Sequence, residues 1–251
     1  MKKRTEFDFV KGELLLINKP LTWTSFDAVN KIRYMLQKQL GLHNLKVGHA
    51  GTLDPLATGL LIICTGKMTK QIDQHQAKEK EYTGTFTLGA TTPSYDLETE
   101  PDTFYPIEHI TFEQIKRTAS DFICTSNQLP PVFSAKKVDG KRAYIKARKG
   151  EHVQVKTREI TISAFEIIEI NLPEIKFRIV CSKGTYIRSI AFDFGLALGS
   201  GAYLSQLCRT GIGEYRIEQS TTIDQFKTLI DDAIKLEKGN AVNSGIKNII
   251  S

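Results

Sequence analysis

A mixed α/β fold of the α+β kind, with a mostly antiparallel central sheet flanked by helices, is what the sequence predicts, and three observations lead there. Short apolar or alternating runs recur along the chain, three longer stretches carry helical spacing, and the strand-like runs are mostly neighbours in sequence, which favours antiparallel pairing. At 251 residues, 41% hydrophobic and 25% charged, the chain is long enough to bury a sizeable core. No internal repeat or low-complexity linker interrupts it.

The elements follow in order. Residues 13–18 form a short apolar run ended by Lys19-Pro20, a buried strand and a turn, since proline cannot continue a strand ladder. A helix follows, with Ser25 as its expected N-cap, an apolar stripe through Phe26, Val29, Ile32, Leu36 and Leu40, and Gly41 as its stop. Strands are predicted over 45–47 and 60–64, separated by a loop dense in turn residues. Residues 81–88 alternate as a strand does, 91–106 are polar with prolines, and 110–122 have helical spacing. Pro130-Pro131 lead into a basic stretch in which 142–149 reads as a short helix ended by Gly150. Residues 159–170 and 175–181 are predicted to pair through Asn171-Leu172-Pro173, and Thr185 to cap a helix carrying Ile187, Ile190, Ala191, Phe194 and Leu198. After Ile223 there is room for a helix and a frayed end, but not for an independent core.

Composition narrows the function classes. Met1-Lys2-Lys3-Arg4 is followed by no apolar segment of signal-peptide type, and residues 14–17 are far too few to span a membrane, so a cytoplasmic protein is expected. The four cysteines, Cys64, Cys124, Cys181 and Cys208, stand far apart with no CxxC pair and no histidine at zinc spacing. Buried free thiols are expected, with no metal site. The net charge is +6, yet residues 136–158 hold nine Lys and Arg against Asp139 and Glu151, a local +7 that leaves the remainder near −1. Positive charge concentrated in one segment points to a polyanionic partner rather than to general solubility.

Among residues that carry chemistry, Asp54 stands out, placed in a glycine-rich loop just before Pro55, where a constrained backbone can project a carboxylate. An Asp before Pro is also a routine turn signal. Arg188 lies in the first turn of a predicted helix, where the helix dipole disfavours a cation, so it is either held by a carboxylate partner or an ordinary surface arginine. Tyr82 and Tyr186 offer aromatic faces to an unpaired base, or serve the core. His49, beside Gly48, is either a phosphate donor or an ordinary loop histidine. Nucleotide-binding and zinc-protease signatures are absent.

Asn18-Lys19-Pro20, the run Gly48-His49-Ala50-Gly51-Thr52-Leu53-Asp54-Pro55-Leu56-Ala57-Thr58-Gly59, Lys80-Glu81-Tyr82, Ser134-Ala135 with Lys137, and Cys181-Ser182-Lys183-Gly184-Thr185-Tyr186-Ile187-Arg188 together resemble the bacterial tRNA pseudouridine-55 synthases. The motifs stand in that family's order from about Gly12 to Thr222. The resemblance implies the pseudouridine synthase fold and a catalytic domain over 1–222, with a basic RNA-binding insertion at about 134–158 and a short tail over 223–251. It implies isomerisation of uridine-55 in the T stem-loop of tRNA by base flipping, without a cofactor, by a monomer. Asp54 matches the catalytic carboxylate, which acts by attack on C1′, by attack on the base or by elimination to a glycal. Arg188 matches its ionic partner, Tyr82 the residue stacking on the target base, His49 and Tyr186 contacts to the flipped nucleotide, and Leu207 an apolar wall of the uracil pocket. Lys137 and Arg142 are expected to contact RNA phosphates, and Lys19 to support the fold rather than the chemistry.

Two departures stand out. Where the family reads T-D-T-x-D-x-x-G, this chain has Thr92-Pro93-Ser94-Tyr95-Asp96-Leu97-Glu98-Thr99, keeping the first Thr and the later Asp. Ending at Ser251, it leaves no room for the small C-terminal RNA-binding domain of many relatives. A tRNA-folding chaperone without chemistry, or a synthase acting on another RNA, are the competing readings. A glycoside hydrolase would need a second carboxylate, and no motif supplies one.

Overall fold

The computed structural model describes residues 7–133, 137–138, 141–142 and 156–247, with side chains described for all of these except 137–138, 141–142 and 236–247. From β1 (Leu14–Lys19) the chain runs through α1 (Ser25–Leu40), β2 (Val47–His49) and β3 (Ala57–Thr65) to a short α2 (Ile72–Ala77). Next come β4 (Lys80–Leu88), β5 (Ala90–Thr91), β6 (Thr103–Phe104), α3 (Phe112–Asp121) and β7 (Thr125–Gln128). The two-residue strands β8 (Lys137–Val138) and β9 (Lys141–Arg142) precede the long β10 (Arg158–Asn171) and β11 (Glu174–Cys181). α4 (Ile187–Ala197), β12 (Ala202–Ile212), β13 (Tyr215–Arg216) and α5 (Ile223–Lys247) complete the order. The chain divides into two compact units, Met1–Gln76 with Tyr215–Ser251, and Ala77–Glu214.

In the first unit β3 pairs antiparallel with both β1 and β2. The wholly apolar run Leu60 to Cys64 is completely buried, as a strand covered on both faces must be. Helix α1 packs through Ala28, Val29, Ile32, Met35 and Leu36 against Leu15, Ile17, Leu61 and Ile63, and α5 adds Ile223, Phe226 and Ile230 to the same core. Two local expectations are corrected here. Phe26 is 61% exposed and not part of the stripe, whose place is taken by Ala28 and Met35. The N-cap of α1 is Thr24 rather than Ser25: its Oγ1 accepts from Asp27 N at 3.0 Å while Asp27 Oδ2 accepts from Thr24 N at 2.9 Å, a reciprocal capping box. Gly41 ends the helix with φ +67°, the left-handed conformation that glycine adopts without strain.

The second unit is built on five strands in the order β12-β4-β11-β10-β7, each pair antiparallel. The predicted pair at 159–170 and 175–181 is present as β10 and β11, with Asn171 opposite Glu174 across the turn. A cluster of Phe86, Phe122, Phe165, Phe177 and Phe194 fills the space between the sheet and helices α3 and α4, with Phe86 and Phe177 centroids 4.1 Å apart and Phe165 and Phe194 5.4 Å apart. The four buried rings, Phe86, Phe165, Phe177 and Phe194, each contribute roughly 1.5–3 kcal/mol, and Phe122 is half-buried at the edge of the cluster. Thr111 caps α3 in another capping box, with Gln114. Thr185 does not cap α4: the N-cap position is Tyr186, and the Thr185 hydroxyl closes the preceding turn by donating to Ser182 O at 3.0 Å. The helix expected over 142–149 lies outside the described residues beyond Arg142, which itself is in β9.

The cysteine expectation holds for Cys64 and Cys181, which are buried, whereas Cys124 is exposed and Cys208 intermediate. Among the described residues no helix is long and apolar enough to cross a membrane.

Candidate active site

In the first unit the loop between β2 and β3 is pinned on both sides of Asp54. The Ser25 hydroxyl accepts from Leu53 N at 2.8 Å and donates to Leu53 O at 3.1 Å. On the other side Pro55 O accepts from Thr22 N at 2.9 Å and from Lys19 Nζ at 3.5 Å. Lys19 is completely buried and also donates to Trp23 O at 2.6 Å and Pro20 O at 2.9 Å, so its ammonium is held by a ring of carbonyls. Asp54 is half-buried, its own carbonyl accepts from Ala57 N at 3.1 Å, and His49 ends β2 at the entrance to the same loop. The backbone that carries the carboxylate is thus fixed by residues other than Asp54. Ser25, a presumed cap in sequence, is one of these clasps, and only its burial and reach to Leu53 reveal it.

In the second unit Arg188 is 4% exposed at the start of α4. The carboxylate that faces it there is Asp96, with Nε 3.5 Å from Oδ2, and Arg188 Nη1 donates to Phe133 O at 2.9 Å and Ser94 O at 3.2 Å. A cation in the first helical turn is therefore held rather than left at the surface, with Asp96 of the altered 92–99 segment as a partner that sequence reasoning missed. Its only signal was its survival in the otherwise changed motif. Tyr186, half-buried, is gripped through its backbone by the buried Gln128, whose Nε2 donates to Tyr186 O at 3.0 Å and whose Oε1 accepts from Tyr186 N at 2.8 Å. Ser189 Oγ donates to Leu129 O at 2.8 Å, so the segment 128–133 is tied to the first turn of α4 at three points.

Tyr82 lies on β4 opposite Arg209, and Leu207 lies opposite Gly84. Residues directly opposite in an antiparallel pair share a face, so Tyr82, Leu207 and Arg209 face one way. Phe86, four residues beyond Tyr82 on that face, contacts Phe194 of α4, so this is the face covered by the helix that bears Arg188. Lys80, on the same face, is 5% exposed, and burial, together with the charge of Arg209, lowers its pKa to about 8. Lys137 and Arg142 oppose each other in the β8–β9 pair, and their side chains lie outside the described residues.

Residues 37–187 match the model of the TruB family of pseudouridylate synthases (N-terminal domain), a span that includes Asp54, Tyr82 and Asp96. The chain belongs to this family. It is accordingly an enzyme of the isomerase class. Proteins called tRNA pseudouridine synthase B are similar to it nearly end to end. That of Parabacteroides distasonis is 54% identical over 92% of this chain and 99% of its own length. That of Phocaeicola vulgatus is 56% identical over 89% and 95%, and that of Flavobacterium johnsoniae 55% identical over 89% and 98%.

Among solved structures, an archaeal box H/ACA sRNP Nop10–Cbf5 complex matches with a TM-score of 0.64 at 24% identity, covering 92% of this chain and 57% of that one, a likeness of fold alone. A Cbf5–Nop10–Gar1 complex matches with a TM-score of 0.64 at 27% identity, covering 89% and 57%. The chain thus spans a little over half the length of these solved chains. Within the family fold, the sheet of the second unit supplies the platform for Tyr82 and Leu207, and its helix α4 supplies Arg188.

Proposed function

We propose that this enzyme converts uridine-55 in the T stem-loop of tRNA to pseudouridine, with Asp54 as nucleophile and no cofactor. The N1–C1′ bond of the target uridine breaks, the detached base turns, C5 is joined to C1′, the proton from C5 leaves to solvent and N1 takes up a proton in its place. Atoms balance without an external reactant. Tyr82 stacks on the flipped base, Tyr186 and His49 contact the nucleotide, Leu207 lines the uracil, and Arg188 is the cation that supports the ionised Asp54. Flipping costs a few kcal/mol, offset by stacking and by phosphate contacts from the basic segment that includes Lys137 and Arg142.

The observation that carries this reading is the pinned Asp54 loop. Clasps from Ser25, Thr22 and Lys19 hold the backbone on both sides of one half-buried carboxylate, an arrangement suited to presenting a nucleophile and unnecessary for a simple turn. The names and high identities of the end-to-end relatives support tRNA as the substrate. The test is tritium release from a tRNA T-arm stem-loop carrying 5-tritiated uridine, with wild type and Asp54→Asn compared and no cofactor added. Release by wild type alone, with RNA binding retained by the variant, supports the assignment. Binding without release by wild type favours a tRNA-folding chaperone or another RNA target, and release by Asp54→Asn removes the nucleophile assignment.

A further inference from the structure

The segment that departs from its family's pattern contains a feature that the reaction as described leaves unused. Tyr95 has φ +64°, one of only two non-glycine residues with positive φ among the described residues, in a region that L side chains rarely adopt. Glycine would take this conformation without strain, yet the position carries a large aromatic ring. That ring stacks on Phe192, with centroids 4.2 Å apart and planes at 20°. Phe192 is four residues beyond Arg188 on α4, one turn along the same helical face.

The backbone around Tyr95 is tied down to match. Tyr95 N donates to Thr92 O at 3.1 Å, and Tyr95 O accepts from Leu204 N of β12 at 2.9 Å. The hydroxyls of Thr92 and Ser94 donate to Asp96 O at 2.7 and 3.1 Å. Asp96 is 5% exposed; its Oδ1 accepts from Glu98 N at 3.0 Å, which turns Oδ2 toward Arg188 Nε at 3.5 Å, while Ser94 O accepts from Arg188 Nη1. Helix α4 therefore meets this loop at two points one turn apart, the ion pair at Arg188 and the aromatic stack at Phe192. A single residue, Tyr95, links the two, because its ring makes the stack and its backbone angle sets the direction in which the next side chain leaves.

We propose that Tyr95, held in a left-handed backbone conformation by its stack on Phe192, is the positioning residue that aims Asp96 at Arg188 and so orients the Arg188 guanidinium for catalysis. The inference rests on the assignment of Arg188 to the active site. Because the hydroxyl of Tyr95 has no part in it, phenylalanine serves equally well at this position, and alanine, which keeps the backbone strain but loses the stack, does not.

The test measures the single-turnover rate of tritium release and the stem-loop affinity for wild type, Tyr95→Phe, Tyr95→Ala, Phe192→Leu and Asp96→Asn. Tyr95→Ala is expected to slow the chemical step at least tenfold with affinity within twofold of wild type, Phe192→Leu to slow it in the same manner to a smaller extent, and Tyr95→Phe to stay within twofold. A residue that merely supports the fold would not separate rate from affinity in this way. Should Tyr95→Ala fail to fold, the contrast between Phe192→Leu and Tyr95→Phe decides. Full rate in Tyr95→Ala or, in its absence, Phe192→Leu, or a loss confined to affinity, overturns the proposal. Full rate in Asp96→Asn, a variant that leaves Tyr95 untouched, shows instead that the assignment of this ion pair to the active site was at fault, and the role of Tyr95 falls with it.

Discussion

Replacing Asp96 by Asn keeps the shape of the side chain and removes its charge, leaving Arg188 buried without the carboxylate 3.5 Å from its Nε. Breaking one side of a buried ion pair costs about 3–5 kcal/mol. The lower end applies to Asp96→Asn, because Arg188 keeps the carbonyls of Phe133 and Ser94 as acceptors. Arg188→Met deprives both carbonyls of a donor as well as removing the cation beside the Asp96 carboxylate, so about 4–5 kcal/mol is expected. For a chain of this size each kcal/mol moves the midpoint by roughly 2–4 °C, so Asp96→Asn falls by about 6–12 °C. The double variant removes the same interaction once, so its cost is less than the sum of the two singles by about 1–3 kcal/mol. The assay is urea unfolding followed by far-ultraviolet circular dichroism, because the single tryptophan, Trp23, belongs to the other unit and its fluorescence reports there. Single variants within about 0.5 kcal/mol of wild type, or strict additivity in the double, would show that the pair is an exposed, solvent-screened contact and refute the reasoning.

Four further outcomes are expected. A Cβ at Gly84 would stand 2.3 Å from Gln206 O and 2.8 Å from Phe177 Cζ, so Gly84→Ala is destabilising by about 3 kcal/mol, whereas Gly41→Ala, with open space around it and only its φ of +67° against it, costs about 1 kcal/mol; melting curves in the reverse order contradict this. Lys80, lowered to about 8 from 10.5 chiefly by burial, is charged in both folded and unfolded states below pH 8, where its penalty is felt in full; between about 8 and 10.5 the folded state has released the proton first, so stability rises with pH. The stability of Lys80→Met relative to wild type should therefore decline across that window, and a constant difference would be evidence against it. Native iodoacetamide labelling followed by mass mapping should modify the exposed Cys124 and spare Cys64 and Cys181, whose burial raises their thiols to about 11 and about 12; labelling of the latter two before unfolding sinks the prediction. Neutralising Lys137, Arg142 and Lys146 together should weaken stem-loop binding and reduce the slope of log affinity against log salt by about 2–3, as counterion release requires, and an unchanged slope removes this segment from the RNA interface.

Much of the architecture was legible in the residues because it depends on near neighbours. Alternation placed β4, β10 and β11 to within a residue or two, and the apolar stripe and Gly41 placed α1, since strand and helix periodicities are local properties. The long contiguous loop around Asp54 was legible for the same reason, as was the concentration of positive charge over 136–158. Local patterns could not say what Ser25 does, because a serine at a helix start caps it or reaches elsewhere, and only the approach of Leu53 decided between these. Nor could they select Asp96 as a partner of Arg188, the grip of Gln128 on Tyr186, the stack of Tyr95 on Phe192, or the exposure of Cys124 beside two buried thiols. The three contacts join segments far apart in the chain, and which distant side chains meet, like which thiol is left at the surface, is set by strand register and helix packing, whose energies are summed over the whole sheet and core rather than carried by the few residues that come into contact.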